Sequence, residues 1–327
     1  MSSVLVTCGH LIRHFSKFAT VFEAHGVSVT IPEIKGQQLG AEEMLVAIRG
    51  HSVVIAGDDF IDRATLVAGK ADGLKAVVKW GIGTDSIDKS AAKELGIPVY
   101  NTPGVFSEEV ADLAMGYVIA LARDFLRIHE SVKAGGWLKV EGTTLSGKVA
   151  GVIGLGGIGR AVCRRLNACG MRVIGSDPAT ISDDGMREAC ATQVSFPELL
   201  ERSDFIVVTC ALTESSRHLL NADAFGAMKE GVRLVNVARG PIIDEAALVQ
   251  ALRSGRVSSA ALDVFEDEPL SPQNSLREFE NLIFGSHNGS NTADAVHKVN
   301  SLTVNLALDI LGLSGQAPRI EPLVPAQ

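Results

Sequence analysis

The stretch Val152-Ile153-Gly154-Leu155-Gly156-Gly157-Ile158-Gly159-Arg160 decides the reading of the fold. An apolar run leads into glycines spaced GxGxxG, and a helical pattern follows. Each glycine has a physical reason. Gly154 permits a tight turn at the end of a strand. Gly156 lets the backbone approach a pyrophosphate, and Gly159 lets the helix pack closely on the strand. The N–H groups and dipole at the start of that helix, around Gly157 and Ile158, favour the same anion. A strand-to-helix turn with no ligand also uses glycine, so context decides. The next apolar run, 171–175, ends in Ser176-Asp177-Pro178. Asp177 stands where an acid accepts hydrogen bonds from the adenosine ribose hydroxyls and repels a 2′-phosphate. No arginine follows it directly. The expected cofactor is NAD rather than NADP.

Working outward, apolar runs at 149–153, 172–175, 205–209, 233–237, 260–264 and 282–284 read as six strands covered on both faces. They match two mononucleotide-binding halves. Before them, strands are expected at 4–6, 27–31, 53–56, 76–79 and 99–100. The stretches between carry apolar residues at helical spacing, such as Phe15, Phe18, Ala19 and Phe22. Alternation of strand and helix means parallel sheets with helices on both faces. The fold class is therefore α/β, with two doubly wound parallel-sheet domains. The segment 107–133 reads as one long helical stretch between the two series, and the helical pattern 293–311 would return to the first. The expected domains are 1–101 plus 290–327, and 102–289.

Composition bounds the function. The chain has 327 residues, 46% apolar and 21% charged, and a formal charge of −8. An acidic surface argues against nucleic acid and anionic membranes as partners. The five cysteines, Cys8, Cys163, Cys169, Cys190 and Cys210, show no metal-type spacing. A reducing compartment and no metal are expected. No secretory pattern or membrane-length apolar run is evident, so a cytoplasmic location is expected.

Three further segments carry chemistry. They are Asn236-Val237-Ala238-Arg239-Gly240-Pro241, Leu262-Asp263-Val264-Phe265-Glu266-Asp267-Glu268-Pro269, and Ser286-His287-Asn288-Gly289. Reducing a 2-oxo acid needs a hydride, a proton and a cation for the carboxylate. Arg239 follows a strand, where ligands bind in open α/β sheets, and its planar fork suits a carboxylate. His287 also follows a strand and titrates in the useful range. Glu268 would hold the other ring nitrogen. Taken singly, a strand-end arginine, a loop acid and a lone histidine are commonplace. In this order behind a dinucleotide fingerprint they read as one site.

Together with Trp80-Gly81-Ile82-Gly83-Thr84-Asp85, Asn101-Thr102-Pro103-Gly104 and Val110-Ala111-Asp112, these motifs resemble the D-isomer-specific 2-hydroxyacid dehydrogenases. The resemblance spans almost the whole chain and looks closest to the phosphoglycerate-dehydrogenase-like branch. It implies a flavodoxin-like substrate domain, a Rossmann NAD-binding domain and a reaction in the cleft between them. It implies Arg239, Glu268 and His287 as catalytic residues. It places Gly81, Ile82 and Gly83 on the substrate carboxylate. Cys210, Ala238 and Asp263 join Gly154, Gly156, Gly157, Ile158, Gly159 and Asp177 at the cofactor, with Asp263 on the nicotinamide amide. It also implies a homodimer through 107–133 and Trp137, and a small 2-oxo or 2-hydroxy acid as the partner molecule.

Departures are visible. The family commonly has proline before the histidine and an aliphatic residue after it, where this chain has Ser286 and Asn288. Trp80 and Phe106 would either shape the substrate pocket or pack within the protein. Lys79 and Lys139 are candidate cations for a phosphate. No added regulatory domain is expected. Two other functions fit the same motifs: a formate- or phosphonate-type dehydrogenase, and an NADH-sensing corepressor-like binding protein.

Overall fold

In the computed structural model the described residues are 2–36, 38–318 and 320–325. Met1, Gln37, Arg319, Ala326 and Gln327, all in the expected substrate domain, lie outside them. The backbone groups into two compact units, Met1–Val105 with Thr292–Gln327, and Phe106–Asn291.

The first unit holds β1 (Ser3–Val6), β2 (Ser28–Thr30), β3 (Val53–Ala56), β4 (Ala76–Lys79) and β5 (Val99–Tyr100). They form a parallel sheet in the order β2-β1-β3-β4-β5. That is the flavodoxin-like winding, with a reversal of direction between β1 and β3. All residues of β3 and β4 are buried, as strands covered on both faces must be. Edge strand β2 is shorter than the expected 27–31, pairing with β1 only at Ser28, Val29 and Thr30. Leu5, Met44, Ile48, Val54, Leu66 and Ile97 form the core of this unit. Each such side chain contributes roughly 1.5–3 kcal/mol on burial. The helix Ala293–Ile310 belongs here and buries Val299, Thr303, Val304 and Ala307.

The second unit holds β6 (Val149–Ile153), β7 (Arg172–Ser176), β8 (Thr192–Gln193), β9 (Phe205–Val208), β10 (Val232–Asn236), β11 (Val257–Leu262) and β12 (Leu282–Phe284). Their order is β12-β11-β10-β9-β6-β7-β8, all parallel. Counted from β6 this is the Rossmann order with one strand added beside the sixth. Seven strands replace the six expected. The extra one, β8, is a two-residue edge strand paired to Ile174 and Gly175. Two polar residues carry no apolar periodicity, so nothing in the pattern announced it.

The stretch 107–133 is two helices, not one: Ser107–Arg123 and Phe125–Lys133. Asp124 between them is left-handed, with φ 52°. Aspartate tolerates that conformation better than most side chains, and its carboxylate takes a 2.8 Å bond from Arg127 Nη1. The N–H of Thr143 caps the Ala122 carbonyl at 2.8 Å. The break has neither glycine nor proline, so the sequence pattern runs through it.

Candidate functional site

In a parallel sheet all C-terminal strand ends share one edge, and in the second unit that edge collects the expected residues. Gly154 follows β6, Asp177 follows β7, Cys210 follows β9, Ala238 and Arg239 follow β10, Asp263 and Glu268 follow β11, and His287 follows β12. The sheet reverses direction between β6 and β9, which is where ligands enter such folds.

The glycine loop is built as its spacing requires. Gly154 has φ 95°, and a Cβ there would lie 2.6 Å from the Cys210 backbone. A Cβ on Gly159 would lie 1.9 Å from the Gly154 carbonyl oxygen. These two glycines allow the close approach of strand, helix and neighbouring loop. Gly156 differs: nothing lies within 4 Å of its missing Cβ. Its turn faces open space, as a backbone that approaches a pyrophosphate must. Gly156 and Gly157 are exposed and Ile158 half-buried at the start of the 12-residue helix Gly157–Ala168. Asp177 accepts the N–H of Leu155 at 2.8 Å and that of Ala179 at 2.9 Å. Its carboxylate is thereby fixed beside the glycine turn while remaining partly exposed. Burial pushes the Cys210 thiol up to about 11, so it stays neutral rather than nucleophilic. These residues fit a dinucleotide.

The expected pair, His287 and Glu268, comes together. His287 Nδ1 lies 2.8 Å from Glu268 Oε2, and the N–H of Phe265 donates to Glu268 Oε1 at 3.0 Å. Glu268 is thus pinned on one oxygen and turned to the imidazole with the other. The two side chains are 27% and 25% exposed, so a substrate can reach the ring. His287 itself is left-handed at φ 54°. Its N–H donates to the Asp263 carbonyl at 2.7 Å.

Arg239 is positioned by Asn236, a residue the sequence reading passed over. Asn236 is fully buried, donates to the Arg239 carbonyl at 3.0 Å and accepts the Ala238 N–H at 3.0 Å. Arg239 Nη1 donates to the Ala238 carbonyl at 2.7 Å. A Cβ on Gly240 would lie 1.8 Å from the Phe265 carbonyl carbon, so this glycine lets the Arg239 loop press against the loop leading to Glu268. A polar residue closing the apolar run 233–236 was the available signal for Asn236.

Asp263 is 1% exposed and heavily used within the chain. Its Oδ1 accepts from the Tyr117 hydroxyl at 3.1 Å and from the Asn288 N–H at 3.2 Å, and its Oδ2 from the Gly289 N–H at 2.9 Å. β11 ends before it, at Leu262 rather than at 264, because its carbonyl and carboxylate hold the 287–289 loop.

Gly81, Ile82 and Gly83 lie in the first unit, just past β4. Gly81, with φ 120°, exchanges two bonds with Thr102: its N–H meets Thr102 Oγ1 at 3.1 Å, and its carbonyl takes the Thr102 N–H at 3.0 Å. Asn101 Nδ2 donates to the Ile82 carbonyl at 2.8 Å. The Asn101-Thr102 motif therefore braces this loop. Trp80 and Phe106 are buried at 5% and 3% exposure, which favours packing over pocket-shaping for both. The Trp80 indole N–H donates to Asn300 Oδ1 at 2.7 Å, and His10 stacks on its ring at 4.4 Å. Lys79 is buried and paired with Asp58 at 2.8 Å.

Among the described residues no group of three potential metal ligands occurs, and no helix is long and apolar enough to cross a membrane.

Comparison with known proteins shows the family of the chain. The family described as "D-isomer specific 2-hydroxyacid dehydrogenase, NAD binding domain" matches residues 115–289. The hydroxypyruvate reductase of Thermotoga maritima is 39% identical over 86% of this chain and 92% of its own length. The D-3-phosphoglycerate dehydrogenase of Methanocaldococcus jannaschii is also 39% identical, over 79% of this chain, which spans only 49% of that protein. The apo-structure of the Escherichia coli D-lactate dehydrogenase superposes with a TM-score of 0.82 at 30% identity, covering 99% of this chain and 100% of that one. The chain belongs to the D-isomer-specific 2-hydroxyacid dehydrogenases, NAD-dependent oxidoreductases built from two parallel α/β sheets.

Proposed function

We propose that this protein interconverts a small, unphosphorylated 2-oxo acid and its D-2-hydroxy acid, with His287 as the proton donor in reduction. The observation that carries this reading is the 2.8 Å contact of His287 Nδ1 with Glu268 Oε2 at the strand-end edge of the sheet. A carboxylate on Nδ1 fixes the ring's orientation and tautomer, so that Nε2 is the atom that gives the proton and takes it back. Arg239 holds the substrate carboxylate and polarises the carbonyl through its planar fork. The N–H groups of Gly81, Ile82 and Gly83 receive the same carboxylate. NADH supplies the hydride when bound. Gly154, Gly156, Gly157, Ile158 and Gly159 hold its pyrophosphate, Asp177 its ribose, and Cys210, Ala238 and Asp263 line the remainder. The first unit serves the substrate and the second the cofactor.

Two observations support an unphosphorylated acid such as hydroxypyruvate or glyoxylate. The hydroxypyruvate reductase shares nearly its full length with this chain, and the phosphoglycerate dehydrogenase about half. Lys79, whose Nζ would lie 3.7 Å from a Cβ on Gly81, has a side chain only 4% exposed and is already paired with Asp58. The test is NADH consumption against a panel of 2-oxo acids with and without a phosphate. Turnover fastest with a short unphosphorylated acid is expected. Tight NADH binding with no turnover of any 2-oxo acid would reject the reading.

The working form is a cytoplasmic homodimer. Its support is the exposure of Ile119, Phe125, Leu126, Val132, Trp137 and Leu138, with Trp137 at 79%. Large apolar side chains left in water favour a closed twofold pairing. All five cysteines are free, in keeping with a reducing compartment. Sedimentation should give a dimer for the wild type, and a monomer for Trp137→Ser combined with Phe125→Ser. A wild-type monomer would remove this part of the proposal.

A further inference from the structure

We infer that Tyr117 is a positioning residue for proton transfer at His287, acting through Asp263. The inference rests on the reading of His287 as the acid/base given above.

Four bonds converge on Asp263 from the segments that matter. The His287 N–H reaches its main-chain carbonyl at 2.7 Å. The N–H groups of Asn288 and Gly289 reach its carboxylate at 3.2 and 2.9 Å. The remaining donor is a side chain from a different element, the Tyr117 hydroxyl at 3.1 Å, carried on the helix Ser107–Arg123. The loop bearing the imidazole is therefore wrapped around one buried carboxylate, and Tyr117 fastens that carboxylate from behind.

The loop needs the fastening. His287 sits at φ 54°, a left-handed region uncommon for any residue but glycine, though histidine adopts it more readily than most side chains. Such a conformation persists only where surrounding bonds over-determine it. Asp263 supplies those bonds, and a carboxylate at 1% exposure needs donors to its oxygens to stay in place. Among the described residues the phenol is the one donor to the carboxylate from outside the 287–289 loop, so it anchors that carboxylate independently of the part being held. Burial, with the Asp263 charge second, drives the Tyr117 phenol well above its ordinary range, which keeps the proton on tyrosine and makes it the donor. Local space has been cleared for this contact. A Cβ at Gly285 would lie 2.2 Å from Asp263 Oδ1 and 2.4 Å from the Tyr117 hydroxyl. Only glycine leaves room for the phenol and carboxylate to meet there.

Asp263 also links the two halves of the catalytic set. Its N–H donates at 2.9 Å to the carbonyl of Asn236, the residue that clamps the Arg239 loop. A shift of Asp263 would thus be felt at both the guanidinium and the imidazole. Catalysis tolerates little misplacement at the reacting groups, whereas cofactor affinity would rest mainly on the glycine turn after β6 and on Asp177, which this contact does not touch, and only weakly on Asp263.

The test is Tyr117→Phe, which removes one oxygen from a half-buried ring, with Tyr117→Met as a second apolar replacement. Melting temperature reports folding, fluorescence titration reports NADH affinity, and steady-state rates with ordinary NADH and NADH deuterated at the transferred position report the chemical step. Loss of a hydrogen bond to a charged group predicts that kcat falls about tenfold. KM and NADH affinity should stay within about twofold, and the deuterium isotope effect on kcat should rise. Unchanged kcat in a folded variant would overturn the inference. So would a fall in kcat matched by an equal rise in KM and an equal loss of NADH affinity, which marks general loosening. His287→Ala, measured alongside, separates the two levels. If it stays active, the acid/base reading fails. If it is inactive while the Tyr117 variants turn over normally, only the role of Tyr117 fails.

Discussion

Glu268 reaches His287 with one carboxylate oxygen, at 2.8 Å from Nδ1, while its other oxygen is held by the Phe265 N–H at 3.0 Å. The carboxylate is therefore aimed before any substrate arrives. Glu268→Gln keeps the shape and removes the negative charge beside the ring. We expect kcat to fall by about 10 to 100-fold with NADH affinity unchanged, within the range that positioned acid/base groups supply. Equal activity in stopped-flow assays of the two proteins would show that the pairing has no catalytic weight.

The glycines of the fingerprint make separable predictions. A methyl group at Gly159 would stand 1.9 Å from a carbonyl oxygen, and backbone cannot yield cheaply there. Gly159→Ala should lower stability by about 3 kcal/mol or more in denaturant titration, or prevent folding. At Gly156 the same methyl meets nothing within 4 Å. Gly156→Ala should melt like the wild type yet bind NADH at least about tenfold more weakly, since the added group would occupy the cofactor's approach. Similar melting for both variants would contradict the division of roles.

Asp177 holds the chain beside the glycine turn, and in the proposed function it also meets the ribose. Its bonds to the Leu155 and Ala179 N–H groups hold the turn beside the glycine loop. Asp177→Ala should weaken NADH binding by about tenfold, and should weaken NADPH binding less because the repulsion of a 2′-phosphate is gone. Isothermal titration with both cofactors reads the ratio. An unchanged preference for NADH would remove Asp177 from cofactor selection.

His10 gives the fold a pH dependence of its own. Burial lowers its pKa from 6.5 to about 4, and neighbouring Arg13 adds to this, with smaller opposing effects from Asp58 on one side and His14 and Lys79 on the other. Between pH 6.5 and 4 the unfolded chain binds a proton there that the folded chain does not, so stability from this residue decreases as pH falls through that window. His10→Phe keeps an aromatic ring on Trp80 and removes the titration. Its melting temperature should therefore drop less than that of the wild type between pH 6.5 and 4. Parallel curves would refute the assignment.

Much of this was legible from residues alone, for definite reasons. Strands β6 and β9 are continuous apolar runs because both faces are covered, and Gly154 and Gly159 were readable because close packing leaves no alternative. The Glu268 and His287 contact, 19 positions apart, followed from motif order. What stayed hidden depends on tertiary placement. The break at Asp124 uses a residue that usually passes within a helix, and strand β8 is too short for any period. Tyr117 lies in an amphipathic helix where a tyrosine looks like any half-buried side chain, and only the fold brings it to Asp263, 146 residues away.

The central claim is that His287 supplies the proton that lets a 2-oxo acid be reduced. It is tested most directly by a single-turnover experiment, with NADH-loaded wild type and His287→Ala mixed with the best 2-oxo acid and followed by NADH absorbance. The account predicts equal NADH loading and a rate constant lower by about 100 to 10,000-fold in the variant. A variant that loads NADH normally and oxidises it at the wild-type rate would contradict it.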